Sequence, residues 1–511
     1  MTSNQEPMCI TIIGQKVSVY VTLSILLLLV AASLRFHDLS QRSMWIDEAV
    51  AAINSQGSIA EMIDNTRSRN TSPIIYPLIL HAIQKIDRSA ESVRFPSAVF
   101  SLLAVLVILA LPTAGIDRRA AFIAATVLTL SSSQIHWAQQ TREYSLSVLL
   151  AALMIYGLLT FLNSEGRKHT ILYASLFIAP LIQYGLVLFA FAVIGTLGFA
   201  GLLRRKQFIG DIVKPSIALA LGGIISLILT LRYQWQANAN IHLHEYFFQG
   251  NLFDLKSLVI FLAAKTYSLL KYLMLGEMLL GVFLVALTFF ACQITRSSKM
   301  DQQSFYTLPL FLLAIVISIV AVLADAYPYG AAHQCIYLAP ATALVFGCAS
   351  ITTADSLKGG VQAAWTGMVI LVVLISGAMT LQNRNPYREI EDIKSVLSYL
   401  EDSQNNNIPV YVYPGAEPAL TFYGISGNRF YFGEHYPQVD EKSYREELNA
   451  AMALGTGQLW IILSSVVPEV ENLIVAEIPA DWHIEKKVDA TKAALFLAHR
   501  PGKLNKQPAN H

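Results

Sequence analysis

The sequence predicts a helical, polytopic membrane protein with a small α/β domain at its C-terminal end. Three observations predict it. Hydrophobic residues make up 54% of the 511 and charged residues only 14%, with a mean hydropathy of +0.49, a balance that a soluble domain does not carry. Apolar runs of near-spanning length, ~20 residues each, recur eleven times between residues 17 and 381. Gln382-Asn383-Arg384-Asn385-Pro386 closes the last run, and the remainder of the chain is soluble in character.

The first run, Val17 to Phe36, is too long for a signal-peptide core and no small-residue cleavage pattern comes after it, so it reads as a retained span. The others lie near 96–112, 120–136, 145–162, 170–182, 185–203, 213–231, 276–294, 305–324, 335–351 and 361–381. Basic residues set the orientation. Counting from a cytoplasmic N-terminus, the inside loops hold Lys16, Arg118 and Arg119, Arg167 and Lys168, Arg204 to Lys206 with Lys214, Arg296 and Lys299, and Lys358. The opposite short loops hold Arg142 and almost nothing else. This bias places the loop from His37 to Phe95, and everything after Leu381, on the non-cytoplasmic face of what is expected to be a bacterial inner or plasma membrane. The expected organisation is a transmembrane catalytic domain over 1–381, with an exported first loop over 37–95, and an exported α/β domain over 382–511.

Within that loop, Ala49 to Ile63 and Ile74 to Ile86 carry apolar residues suited to two helices lying along the membrane surface. In the C-terminal region, Glu389 to Leu400 has helical periodicity, Val410 to Tyr413 reads as a buried strand, and Glu417 to Tyr423 as a short helix. Arg429 to Phe432 reads as a strand, Lys442 to Leu454 as a helix and Leu459 to Leu463 as a strand. This alternation favours a small α/β layer structure without a Gly-rich phosphate fingerprint. Cys9, Cys292, Cys335 and Cys348 lie in or near membrane segments and show no metal-ligand spacing. A net charge of +1 gives no case for nucleic acid.

Chemistry points first to Ser43-Met44-Trp45-Ile46-Asp47-Glu48-Ala49, where two adjacent acids come after the first span. The plainer reading is that Asp47 caps a helix starting at Glu48, which the helix dipole favours in the first turn. Capping also orients a carboxylate for catalysis. Three further segments stand out: Ser72-Pro73-Ile74-Ile75-Tyr76-Pro77 with the later Glu91 to Ala98, then Gln139-Gln140-Thr141-Arg142-Glu143-Tyr144, then Tyr327-Pro328-Tyr329-Gly330-Ala331-Ala332-His333-Gln334.

Taken in order over residues 34 to 381, these resemble the protein O-mannosyltransferase and lipid A aminoarabinose transferase family of the GT-C superfamily. That family shows an Asp-Glu pair in the first exported loop, a Pro-x-x-Tyr segment, an Arg-x-Tyr turn before the fourth span and a variable exported C-terminal domain. Two departures are evident. Many relatives have Gln-Glu-Ala-Arg where this chain has Gln139-Gln140-Thr141-Arg142, and its acid comes next at Glu143; the last exported loop reads Ala331-Ala332-His333 instead of ending in Arg-His or Arg-Tyr.

The resemblance implies a GT-C-like fold, a polyprenyl-phosphate sugar donor, a glycan, lipid or protein acceptor, and transfer to a hydroxyl on the exported face. Asp47 is then the expected general base of an inverting displacement, with Glu48 in support. Arg142 is the expected partner of the lipid phosphate, its plainer role being a snorkelling ion pair with Glu143. Tyr144, Glu143, Tyr76 and His333 are further candidates for substrate contact, although interfacial Tyr and His are often only belt or hydrogen-bonding residues. Lys265 and Lys271 are candidates for facing lipid phosphates together. His81 reads as a packing residue. His242, His244 and Glu245 are a weak metal pattern lacking a fourth ligand, and whether a divalent metal ion is used stays open. Asn70-Thr71-Ser72 fits a glycosylation sequon that chance also produces. The competing classes are a transporter or flippase for lipid-linked sugars, which would place broken helices in two repeated halves, and a non-enzymatic assembly protein in which Asp47 and Glu48 are only a helix start.

Overall fold

The structure is a computed structural model describing residues 9–12, 15–69, 73–164, 168–204, 208–233, 247–248, 250, 254–296, 302–383, 390–403, 408–434, 441–454, 457–466 and 468–501. His242, His244, Glu245, Asn70, Thr71 and Ser72 lie outside them. A short antiparallel hairpin, β1 (Cys9–Ile12) and β2 (Gln15–Ser18), opens the chain. The first helices are α1 (Val19–Phe36), α2 (Ile46–Asn54), α3 (Ile59–Arg69), α4 (Ile75–Gln84), α5 (Ala90–Ala110), α6 (Arg118–Leu130), α7 (Ser132–Ala138) and α8 (Tyr144–Asn163). Next come α9 (Thr170–Ile178), α10 (Gly185–Arg204), α11 (Phe208–Tyr233), α12 (Leu255–Leu273), α13 (Glu277–Arg296), α14 (Gln302–Leu323), α15 (Ala339–Ser356) and α16 (Gly359–Asn383).

The protein is an integral, multi-pass membrane protein. Among the described residues, eight helices are long and apolar enough to cross a membrane, and α12 with α13 forms a further pair bent by 108°. Eight of the expected runs coincide with the eight helices, and the other three are interrupted by local backbone geometry. The run at 120–136 is two helices, because Ser131 is extended (φ −66°, ψ 120°) between α6 and α7. The run at 170–182 is α9 and then a 3-10 turn over Ala179–Leu181, where Pro180 lacks the amide a helix needs. The run at 276–294 is the second arm of the bent pair, after Gly276 at φ +99°.

The chain divides into two compact units: Met1–His37, Thr66–Ile79 and Arg94–Pro386 form one, and Asp38–Asn65, Leu80–Val93 and Tyr387–His511 the other. In the first, small residues let helices approach. A Cβ on Gly347 of α15 would lie 2.2 Å from the Ala120 carbonyl of α6. Arg35, fully buried at the end of α1, donates from Nε to Ser101 Oγ (2.8 Å) and from Nη2 to the Leu128 carbonyl (2.9 Å). A cation is favoured there because it meets the last carbonyls of α6.

The second unit carries α17 (Ile393–Asp402), β3 (Val410–Val412), α18 (Glu417–Phe422), β4 (Phe430–Phe432), α19 (Glu441–Ala453), β5 (Gln458–Ser464), α20 (Pro468–Ala476), β6 (His483–Ala490) and β7 (Ala493–His499). The sheet order is β4-β3-β5-β7-β6, with β3 parallel to β4 and β5, and β7 antiparallel to β5 and β6. Period-two alternation splits the sheet into two cores. Val410, Val412, Trp460, Ile462 and Leu495 face one, and Tyr411, Ile461, Leu463 and Phe496 the other. The first core includes Met44, Ala49 and Ala52 from around α2, packed with Ile393 and Val396 of α17. The segment bearing the two acids is thus part of a hydrophobic core, not a loose connection.

Candidate functional site

In the second unit, α2 starts earlier than a cap at Asp47 requires. Trp45 is the N-cap, extended and without a side-chain capping bond, and Asp47 and Glu48 both lie in the first turn. The capping reading of Asp47 is therefore corrected, and the favourable dipole position of both acids stands. What replaces the missing cap is Glu391, whose Oε2 accepts the Ile46 amide at 3.0 Å. The stretch of chain before it is fastened in the same way. The Met44 amide donates to Tyr423 Oη (2.9 Å), and Ser43 Oγ donates to Asp392 (3.2 Å) and accepts the Lys394 amide (3.0 Å). Glu48 is fully buried and Asp47 half-buried.

Glu391 is 3% exposed. Burial raises its carboxyl above the usual range, the Ile46 amide and Ser465 pull it down, Asp47 pushes it up and Lys492 pulls it down; the net direction is up. The folded chain therefore keeps a proton that the unfolded chain releases, so this group stabilises below the ordinary carboxylate pKa and its contribution is lost as pH rises through the raised value. Glu391→Gln is expected to flatten that fall in thermal unfolding across mildly acidic pH. Glu391→Ala is expected to cost ~1–3 kcal/mol at all pH values, because it leaves the Ile46 amide without its acceptor. Identical pH profiles for wild type and Glu391→Gln would contradict the assignment.

In the first unit, the turn between α7 and α8 is built by distant hydrogen bonds. Gln139 Nε2 donates to the carbonyls of Leu34 (3.2 Å), Arg35 (3.2 Å) and His37 (2.8 Å), closing the C-terminus of α1. Ser97 Oγ donates to the Arg142 carbonyl at 3.0 Å, and Tyr76 Oη lies 2.9 Å from Ser97 Oγ. Tyr76 is 2% exposed, placed beneath the turn as a support. Arg142 donates from Nη2 to Tyr144 Oη (3.2 Å), lies 5.4 Å from the centre of the Tyr144 ring, and sits 3.6 Å from the Glu143 carboxylate. Its side chain is 13% exposed and that of Glu143 6%, so the pair is desolvated and its attraction is stronger than at an open surface.

Rings close around this group. His333 lies 5.0 Å from Trp137 and 4.7 Å from Tyr144, and Trp137 meets Tyr144 edge-on at 4.8 Å. Trp137 Nε1 donates to Tyr272 Oη of α12 at 2.5 Å. The loop before His333 is held by Gln183, which donates to Tyr327 Oη (3.2 Å) and to the Gln334 carbonyl (3.1 Å), and by Thr266, 2.9 Å from Tyr329 Oη. Burial pushes the Tyr329 phenol up to about 12, so it is neutral and acts through hydrogen bonds.

Lys265 and Lys271 both lie on α12, six positions apart. Six helical positions turn the side chains ~120° apart. The Lys265 stem runs against Gly330, where a Cβ would lie 3.1 Å from its Cδ, whereas Lys271 Nζ pairs with Glu277 at 2.5 Å across the bend. His81 is buried, with Nδ1 3.0 Å from the Ser55 carbonyl, which is the packing role read from sequence. No group of three His, Cys, Asp or Glu side chains able to hold a metal ion occurs among the described residues. Sequence reasoning missed Glu391 and gave Trp137 no role. Both signals were present, as an acid just ahead of an amphipathic helix and as a Trp five residues before Arg142.

Residues 71–233 match the family described as dolichyl-phosphate-mannose-protein mannosyltransferase. That stretch contains Tyr76, Arg142, Glu143 and Tyr144, while Asp47 and Glu48 precede it. No curated protein matches the chain in sequence. Among solved structures, apo ArnT from Cupriavidus metallidurans matches with a TM-score of 0.54 at 12% identity, over 94% of this chain and 98% of that one. The same protein bound to undecaprenyl phosphate gives 0.51 at 13% identity, over 93% and 97%. The apo oligosaccharyltransferase of Archaeoglobus fulgidus gives 0.53 at 10% identity, over 86% of this chain and 69% of that one. The chain therefore has the ArnT-like GT-C fold, and over residues 71–233 it is similar in sequence to the mannosyltransferase family, as the resemblance read from its motifs leads one to expect.

Proposed function

We propose that the protein is a glycosyltransferase that moves a sugar from a polyprenyl-phosphate donor to an acceptor hydroxyl on the non-cytoplasmic face of the membrane. The observation that carries this reading is the Arg142 group: a largely desolvated guanidinium bonded to Tyr144, whose ring packs with Trp137 and His333, with Arg142 itself in the stretch matched to the mannosyltransferase family. Arg142 takes the donor's phosphate, since a planar fork matches phosphate oxygens and counters the charge that grows on them as the glycosidic bond breaks. Asp47 takes the proton of the acceptor hydroxyl as its oxygen bonds to the anomeric carbon. The bonding pair of the sugar–phosphate bond leaves with the phosphate, and the products are the glycoside and polyprenyl phosphate. Glu48 and Glu391 hold the turn that carries Asp47. Binding of undecaprenyl phosphate by the ArnT structure supports the donor class.

A single displacement inverts the anomeric centre. Proton NMR of the product, set beside the donor, is expected to show the opposite anomeric configuration. Retention would exclude a single backside displacement and would remove Asp47 from the role of its base.

A further inference from the structure

The first unit holds a furrow of about 450 Å3 that the proposed reaction does not use, with apolar walls from Leu23, Phe122, Ile351 and Val369. It lies far from His333, because the helical path from His333 to Ala354 at its rim is about 30 Å at ~1.5 Å per residue, close to the thickness of the hydrocarbon layer. Two partly buried hydrogen bonds fix its walls. Tyr20 Oη donates to the Leu109 carbonyl (2.6 Å), and Trp365 Nε1 donates to the Ser350 carbonyl (3.0 Å).

The end of the furrow is charged. Arg118 and Arg119 begin α6, where the helix dipole disfavours cations. Arg119 is accounted for by Asp117 (3.0 Å) and Asp355 (2.8 Å). Arg118 is exposed, has no ion pair among the described residues, and still lines the furrow. An apolar slot ending in an unopposed guanidinium, at the level where a membrane ends, is complementary to an anionic headgroup joined to acyl chains.

We propose that this furrow binds a bilayer phospholipid with an anionic headgroup, its phosphate on Arg118 and the upper part of its acyl chains against the walls. The lining stretch of α16, Trp365 to Ile370, is only about 8 Å long. A slot that shallow suits the first carbons of a bilayer lipid and leaves most of a long polyprenyl chain outside.

The test is native mass spectrometry of the delipidated full-length protein in detergent, titrated with phosphatidylglycerol, phosphatidylcholine or undecaprenyl phosphate. Wild type is expected to retain phosphatidylglycerol about fivefold more than phosphatidylcholine. Arg118→Gln, at an exposed position, is expected to abolish that preference, and Ala354→Trp to reduce retention of both phospholipids. Equal retention of the two by wild type would overturn the proposal. So would a preference that survives Arg118→Gln, which would leave the arginine a topology signal only. Stronger retention of undecaprenyl phosphate that depends on Arg118 would overturn the choice of occupant.

Discussion

Asp47→Asn is expected to lower turnover by ~10²- to 10⁴-fold, the range that a positioned general base contributes, while leaving donor binding and thermal unfolding close to wild type. The reasons are local. Asp47 is half-buried in the first turn of α2, and that turn is fixed from outside the side chain, by Glu391 on the Ile46 amide and by Tyr423 on the Met44 amide. Asparagine keeps the shape and loses the basicity. Because the N-cap residue is Trp45 and Asp47 lies inside the first turn, the substitution leaves the cap position unchanged, so a fall in kcat without a fall in Tm reads as chemistry. Full turnover in a folded Asp47→Asn protein would remove the base from the mechanism.

The second large effect is expected at Arg142. Arg142→Ala should reduce kcat/KM by ~10²- to 10³-fold, the magnitude of losing one preorganised donor to developing charge, and should weaken binding of polyprenyl phosphate itself. Arg142→Lys separates charge from geometry: a point charge without the fork should recover part of the loss. Since Arg142 also holds Tyr144 Oη and neighbours Glu143, Tyr144→Phe is the companion variant. It removes that bond, keeps the ring beside Trp137 and His333, and is expected to cost far less than Arg142→Ala. Undiminished affinity for polyprenyl phosphate in Arg142→Ala would place the phosphate elsewhere.

The broad architecture was legible because it depends on local composition. Apolar runs mark helices in lipid, and short continuous apolar runs at Val410 to Tyr413 and Leu459 to Leu463 mark strands with two covered faces. Strands β6 and β7 were not read, since the charged face of His483–Ala490 and the Ala-rich Ala493–His499 resemble surface and loop until they pair. Local reading also misplaced the start of α2. Without its partner, the acid pair looks like a cap, and the acceptor that makes capping unnecessary lies 345 positions away. The same limit hid the rings around Arg142, because Trp137 and Tyr144 meet His333 only when α7, α8 and the approach to α15 pack. Pattern shows which face of an element is buried; it does not name what covers it.

The central claim, that the protein cleaves a lipid-linked sugar instead of carrying it, has one direct measurement. Purified protein in proteoliposomes would be given labelled lipid-linked sugars extracted from the membranes of the cells that express it, together with the acceptor-containing extract. The expected result is free polyprenyl phosphate and acceptor-bound label appearing in equal amounts, both lost in Asp47→Asn. Intact lipid-linked sugar crossing the vesicle bilayer, with no polyprenyl phosphate released, would contradict it.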